Sequence, residues 1–317
     1  MKIAIVKLSS LGDIIHGMIV LQFIKKHYPE SEIHWIVSEK FAEILKLNSD
    51  INKIHTLFSK NEKNIFDTFT KSRKISEENF DIVIDMQGLF KSAIVTNIIG
   101  KNTWGFSFNS SREPLSSFFY KNKVKINYKE NIYIRNLTLI SKALGFDFSK
   151  EEILNKQPFL ETEKTDSENI QNLLDKSKKN IVFIPGASTT DKTISLIKMC
   201  EIINVLDANI LLTWGNSCEK NKAYKIAEKT KAKVIPKFSL YSLTELISKV
   251  DLLIGPDTGP THIAFGLNKP SITVFKTKAK SSMKRNSFET AINKRISFKD
   301  LNKFDIKELI EIIYQLI

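Results

Sequence analysis

Cysteine, arginine and long apolar runs are all scarce in this chain of 317 residues. Its two cysteines, Cys200 and Cys218, form no metal or redox motif, which suits a reducing cytoplasm. None of the five histidines stands at a metal-ligand spacing and no Asp-x-Asp triplet occurs, so no metal site is expected. No stretch approaches the ~18 to 20 apolar residues of a membrane span. The apolar run at 3–6 is not expected to be a secretory signal, because Lys7 interrupts it and no small-residue cleavage site follows. The Gly-rich dinucleotide fingerprint and the phosphate-binding P-loop are absent as well. The net charge is +13, but only five residues are arginine. No helix-turn-helix, RNA-recognition or zinc-finger signature accompanies that charge, so nucleic acid is not expected as a partner. The basic runs Lys60–Lys74 and Lys121–Lys129 both fall in the first half. A solvated lysine face and a surface for a phosphorylated partner both fit them.

What is present is two turns of one kind. Asp257-Thr258-Gly259-Pro260-Thr261-His262 follows an apolar run, 250–254, that reads as a buried strand, and leads into a short helical pattern. A strand, a small-residue turn and a helix N-terminus offer unpaired N–H groups and a positive dipole end to an anion. Gly259 permits close approach of backbone, and the Asp257 carboxylate can hold sugar hydroxyls. The second turn, Lys7 to Asp13, follows the run 3–6 and precedes another helical pattern. There Asp13 has no charge partner adjacent in sequence and is a candidate general base. A plainer reading of Asp13, and of Asp257 or Thr258, is that they cap helices.

With 42% hydrophobic residues the chain can fill two cores of about 150 residues each. Apolar strand candidates recur at 3–7, 32–37, 52–57, 81–86 and 102–106, then at 180–185, 208–214, 232–236, 250–254 and 271–275, with helical patterns between. That alternation predicts an α/β chain with two parallel sheets, each binding at the carboxyl ends of its strands. The polar stretch 147–166 reads as the connection between halves. Residues 304–317 repeat apolar side chains at helical spacing and predict an amphipathic helix.

Further segments add candidate chemistry. Asp85 to Ser92 ends the fourth strand and puts Gln87 and Lys91 near its rim. Arg112, in a loop, suits a carboxylate or phosphate. Gly186 to Lys192 follows a strand with hydroxyls and one lysine, a set suited to a pyrophosphate. Trp214-Gly215 ends the next strand, where Trp214 reads as core, and Glu219 could take a ribose.

Taken together and in order, the start Leu8-Ser9-Ser10-Leu11-Gly12-Asp13, the segment Asp85 to Ala93, Ser111-Arg112-Glu113-Pro114-Leu115, Trp214-Gly215 and Asp257-Thr258-Gly259-x-x-His262 resemble the lipopolysaccharide heptosyltransferases of glycosyltransferase family 9. The likeness is nearest to the heptosyltransferase I group of the inner core and spans Met1 to about Phe275. It implies a GT-B fold: two facing Rossmann-like doubly wound domains with the active site in the cleft between them. The implied division is an acceptor domain at 1–160, an ADP-heptose domain at 161–303, and a terminal helix at 304–317 packing back on the first domain. Two stretches depart from the family pattern, Thr189–Met199 and the loop Lys276–Lys280.

The resemblance also implies an inverting, metal-independent transfer of heptose from ADP-heptose to Kdo of a lipid A–Kdo acceptor. Asp13 would be the base and Lys192 would stabilise the departing diphosphate. Ser188, Thr189, Glu219, Phe238, Asp257, Thr258, Gly259 and His262 would hold the donor. Gly12, Lys60, Lys63, Gln87 and Arg112 would face the acceptor. ADP-heptose is then a substrate and no cofactor is expected. The protein would be a monomer in the cytoplasm, peripheral to the inner membrane. A heptosyltransferase II or later core enzyme, a nucleotide-sugar 2-epimerase and a non-catalytic nucleotide-sugar-binding protein are the alternatives.

Overall fold

A computed structural model describes the chain except residues 59–64, 165, 188, 190, 191 and 277–279, and the side chains of 65 and 280–282. It resolves into two compact units, Met1–Phe159 and Leu160–Ile317. The first holds strands β1 Lys2–Val6, β2 Glu32–Ser38, β3 Lys53–Leu57, β4 Ile82–Asp85, β5 Thr103–Phe106 and β6 Asn122–Val124. The second holds β7 Asn180–Phe183, β8 Asn209–Leu212, β9 Lys233–Val234, β10 Leu252–Pro256, β11 Ser271–Lys276 and β12 Asn293–Phe298.

Every pairing is parallel, for example Ile5 with Trp35 and Ile84, or Ile254 with Phe183 and Ile272. A parallel sheet flanked by helices buries both faces of its strands, which is why β1, β7 and β8 read as unbroken apolar runs. The first sheet runs β3-β2-β1-β4-β5-β6 and the second β12-β11-β10-β7-β8-β9. Read from β9, the second repeats the order of the first. Both are the doubly wound sheets expected, and each reverses direction once, between β1 and β4 and between β7 and β10. Such reversal points open a crevice at the carboxyl ends of the two central strands. The Asp13 turn leaves β1 and the Asp257 turn leaves β10, so each stands at its sheet's reversal point.

Both sheets carry a sixth strand that the apolar pattern does not predict. β6 and β12 are edge strands, and edges favour charged residues over apolar ones: Lys121, Lys123 and Lys125 alternate through and beside β6. Within the predicted connection, residues Lys150–Leu154 form a helix capped by Ser149 and Glu152, and Glu152 pairs with Lys26 at 2.6 Å. The terminal helix, Lys307–Leu316, buries Leu309 and Ile313 among Ile181, Phe183 and Ile272. Its apolar stripe serves the core of the second unit.

Candidate active site

In the first unit the site begins at the carboxyl end of β1. Ser10 precedes the helix Leu11–Met18, and Asp13 stands in its first turn. The Ser10 N–H and hydroxyl both donate to Asp13 Oδ2 at 3.2 Å. Asp13 therefore does cap the helix, with one oxygen. Among the described residues Oδ1 has no hydrogen bond, and the side chain is partly exposed. Gly12 lies beside it, also partly exposed.

The loop before this helix is held from β4. Gln87 Oε1 accepts the N–H groups of Leu8 at 3.1 Å and Ser9 at 3.2 Å, and the buried Lys7 ammonium donates to the Met86 carbonyl at 2.8 Å. Gln87 is buried, and its amide oxygen supports the loop that leads to Asp13. Gln87 is itself fixed by Asp85, which accepts the Gln87 N–H at 2.7 Å, the Gly88 N–H at 3.2 Å and the Tyr120 hydroxyl at 2.7 Å. Gly88 adopts a left-handed φ of 67° and meets the Ser111–Arg112 backbone, while its carbonyl accepts the Glu113 N–H at 3.0 Å. Arg112 is thereby carried beside this turn with its side chain exposed.

Asp85 is fully buried. Burial raises its pKa, against the Tyr120, Ser92 and backbone hydrogen bonds that lower it. Tyr120→Phe removes one donor to a buried carboxylate and should cost about 1.5 to 3 kcal/mol near neutral pH. A folded-state pKa above the unfolded value means the native protein binds more protons between the two. Stability from this group therefore falls as pH rises through that window and is level above it. Losing Tyr120's hydroxyl pushes the pKa further up, so the variant's deficit should shrink as pH falls towards about 4. Urea unfolding of both proteins at the two pH values checks this, and a deficit independent of pH would contradict it.

In the second unit four strand ends converge. The segment after β7 runs past Gly186, where an added Cβ would stand 2.2 Å from Glu219 Cγ. Only glycine permits that approach. Glu219 lies in the first turn of the helix Ser217–Ala227, capped by Asn216, and its Oε2 accepts the Gly215 N–H at 2.6 Å. One turn on, Lys222 donates to Pro185 O at 2.8 Å, Thr193 Oγ1 at 3.1 Å and Ile194 O at 2.7 Å, pinning both ends of the loop that holds Thr189 and Lys192. Burial pushes Lys222 down to about 8. The sequence reading missed Lys222; its place three residues after Glu219 on one helix face was the only signal.

Ile184, Gly186, Trp214, Glu219, Phe238 and Thr258 are among the residues that line a cavity of about 350 Å³ in this unit. Trp214, read as core, is half-buried there, its indole N–H on Ile235 O at 2.9 Å and Lys220 over its ring at 5.0 Å. An aromatic and apolar wall with one carboxylate suits a purine nucleoside. Beside it Thr258 caps the helix Gly259–Gly266, with Pro260 in its first turn. Asp257 is held from two sides, by His262 Nε2 at 3.2 Å and by Asn286 Nδ2 at 3.0 Å. Its carboxylate is thus oriented at the mouth of a helix N-terminus.

The structure brings together Glu219, Phe238 and Thr258 around the cavity, with Gly259, Asp257 and His262 next to it in the chain. Thr189 and Lys192 are exposed on the neighbouring loop, where Thr189 O accepts the Lys192 N–H at 3.3 Å. Ser188, Lys60 and Lys63 lie outside the described residues. Among the described residues one trio, His34, His55 and Glu78, could reach a common metal ion. It is engaged otherwise: His34 bonds His55 at 2.9 Å and Glu32 at 2.7 Å, and Glu78 pairs with Lys53 and, at 3.4 Å, with Lys2. A cation there would meet two ammonium groups first.

Residues 69–305 match the model of glycosyltransferase family 9 (heptosyltransferase). The chain is 40% identical over 310 residues to lipopolysaccharide heptosyltransferase 1 of Campylobacter coli, covering 93% of this chain and 89% of that one. Among solved structures, the E. coli heptosyltransferase WaaC with ADP superposes at a TM-score of 0.83, with 25% identity and full coverage of both chains. The same enzyme with ADP-2-deoxy-2-fluoro heptose gives 0.80 at 24% identity, covering 99% of each chain.

Proposed function

Because this chain belongs to glycosyltransferase family 9, the heptosyltransferases, and is a glycosyltransferase of lipopolysaccharide inner-core synthesis, we propose that it moves heptose from ADP-heptose to a Kdo sugar of the lipid A–Kdo acceptor. The observation that carries the reading is the pair of aspartate-bearing turns at the two reversal points, in a chain 40% identical to a lipopolysaccharide heptosyltransferase 1. One turn offers a carboxylate oxygen without a partner among the described residues; the other offers a helix N-terminus beside a nucleoside-sized cavity.

The reaction is a single displacement. The acceptor hydroxyl gives its proton to Asp13, its oxygen bonds to the anomeric carbon of the heptose, and the bond from that carbon to the diphosphate breaks. Attack from the face opposite the departing ADP inverts the anomeric centre. The adenosine lies against Phe238 and Trp214 with Glu219 on its ribose, and Asp257 holds heptose hydroxyls. The N–H groups of the Gly259 turn and the Lys192 ammonium stabilise the charge that develops on the diphosphate, in place of a metal ion. Arg112 and the basic runs meet the acid groups of the acceptor. Among the described residues no helix is long and apolar enough to cross a membrane. On this reading the protein works as a peripheral monomer at the cytoplasmic face, with ADP-heptose as substrate and no cofactor.

The test is ADP release from ADP-heptose in the presence of a chelator, with and without a Kdo-bearing lipid A acceptor. Acceptor-dependent release is the expected result. Release only with an already heptosylated acceptor would move the activity to a later core enzyme, and acceptor-independent loss of donor would point to an epimerase.

A further inference from the structure

The segment Pro114–Phe119 of the first unit is a 3₁₀ helix turned inside out. Ser116 and Ser117 are buried, while Leu115 is 59% and Phe118 70% exposed. In a 3₁₀ helix residues three apart eclipse, so Leu115 and Phe118 stand on one side. Phe108, on the preceding 3₁₀ turn, packs edge-on against Phe118 at 6.1 Å, and the exposed Phe90 against Phe119 at 5.2 Å. The arrangement is built: the Phe90 N–H donates to Glu113 at 2.6 Å, Asn97 donates to Phe119 O at 3.2 Å, and Ser111 Oγ donates to Phe106 O at 3.0 Å. A surface segment that hides its serines and shows its apolar residues needs an apolar partner.

The charge around it says which. Residues 86–130 hold seven lysines and arginines and two acids, a net of +5. Lys91, Lys121, Lys123 and Lys125 are all exposed, and one of the two acids, Glu113, is engaged with the Phe90 N–H. Apolar side chains that enter the acyl boundary, flanked by lysines that meet headgroup phosphates, are how a non-spanning protein holds an anionic bilayer.

We propose that the face formed by Phe90, Phe108, Leu115 and Phe118 docks this unit on an anionic phospholipid bilayer. The inference deepens the reading of this unit as the acceptor side, because Arg112 lies in the loop joining the two 3₁₀ turns, and docking would bring it to the headgroup level of an acylated acceptor.

The full chain is sedimented with vesicles of phosphatidylcholine alone and of phosphatidylcholine with phosphatidylglycerol, with neither donor nor acceptor present. Failure here is therefore distinguishable from failure of the transfer reading. The wild-type protein should partition onto the anionic vesicles and be released by salt. Leu115→Ser with Phe118→Ser should lower that partition coefficient about tenfold or more. Lys121→Gln with Lys123→Gln should reduce the preference for phosphatidylglycerol. Tyr314→Ser, an exposed aromatic of the second unit, should change nothing. ADP binding serves as the control for folding. No binding by the wild-type protein, or equal binding by the Leu115/Phe118 variant, overturns the proposal. So does a dimer abolished by that variant with vesicle binding intact, which would give the face to a second copy of the chain.

Discussion

Asp13→Ala should lower kcat about 10²- to 10⁴-fold, the usual worth of a general base, with ADP affinity little changed. The separation of effects follows from position. Asp13 belongs to the first unit's β1 turn, and the cavity proposed for the nucleotide is lined by residues of the second unit. Part of any loss could come from the helix, since Asp13 also accepts from Ser10 N and Oγ; removing a cap costs about 1 kcal/mol. Asp13→Asn separates the two. It keeps an acceptor oxygen for Ser10 but cannot take a proton, so stability should largely return while the rate does not. An Asp13→Ala enzyme of nearly full activity would remove this residue from the chemistry.

A methyl group at Gly186 should cost about 10- to 100-fold in ADP affinity. The added Cβ would lie 2.2 Å from Glu219 Cγ and 2.5 Å from its Oε1, so Glu219 must swing out and release the Gly215 N–H. A hydrogen bond to a charged group is worth about 1.5 to 3 kcal/mol, hence the range. Glu219 is flexible and has room to move, so Gly186→Ala should unfold at nearly the wild-type temperature. Glu219→Ala should show the same loss of affinity, and the double variant should lose little more, because both changes remove one interaction. Titration of ADP by calorimetry reads all three. Additive losses would mean that Gly186 and Glu219 act on the nucleotide separately.

The parts of this protein that were legible in its sequence are those that local pattern fixes. Central strands such as β1 and β7 are buried on both faces and show as apolar runs, and the Asp13 and Asp257 turns show because strand, small residues and helix follow directly. The edge strands β6 and β12 carry lysine, asparagine and arginine and gave no apolar signal. Contacts between distant residues were also hidden. Gln87 looked like a rim side chain, yet it holds Leu8 and Ser9, some 79 residues earlier. Trp214 looked like core because nothing local told that one face lines a cavity. The terminal helix had the right period but begins at Lys307, after the predicted start, and its period cannot say which unit receives its stripe.

In the proposed reaction a heptose leaves ADP and stays on the acceptor. The most direct measurement is the mass of a Kdo–lipid A acceptor after incubation with ADP-heptose, the protein and a chelator. The acceptor should gain one heptose unit, matched mole for mole by ADP, and should gain it about 10²- to 10⁴-fold more slowly with Asp13→Ala. ADP or free heptose appearing while the acceptor mass stays unchanged would contradict the proposed reaction.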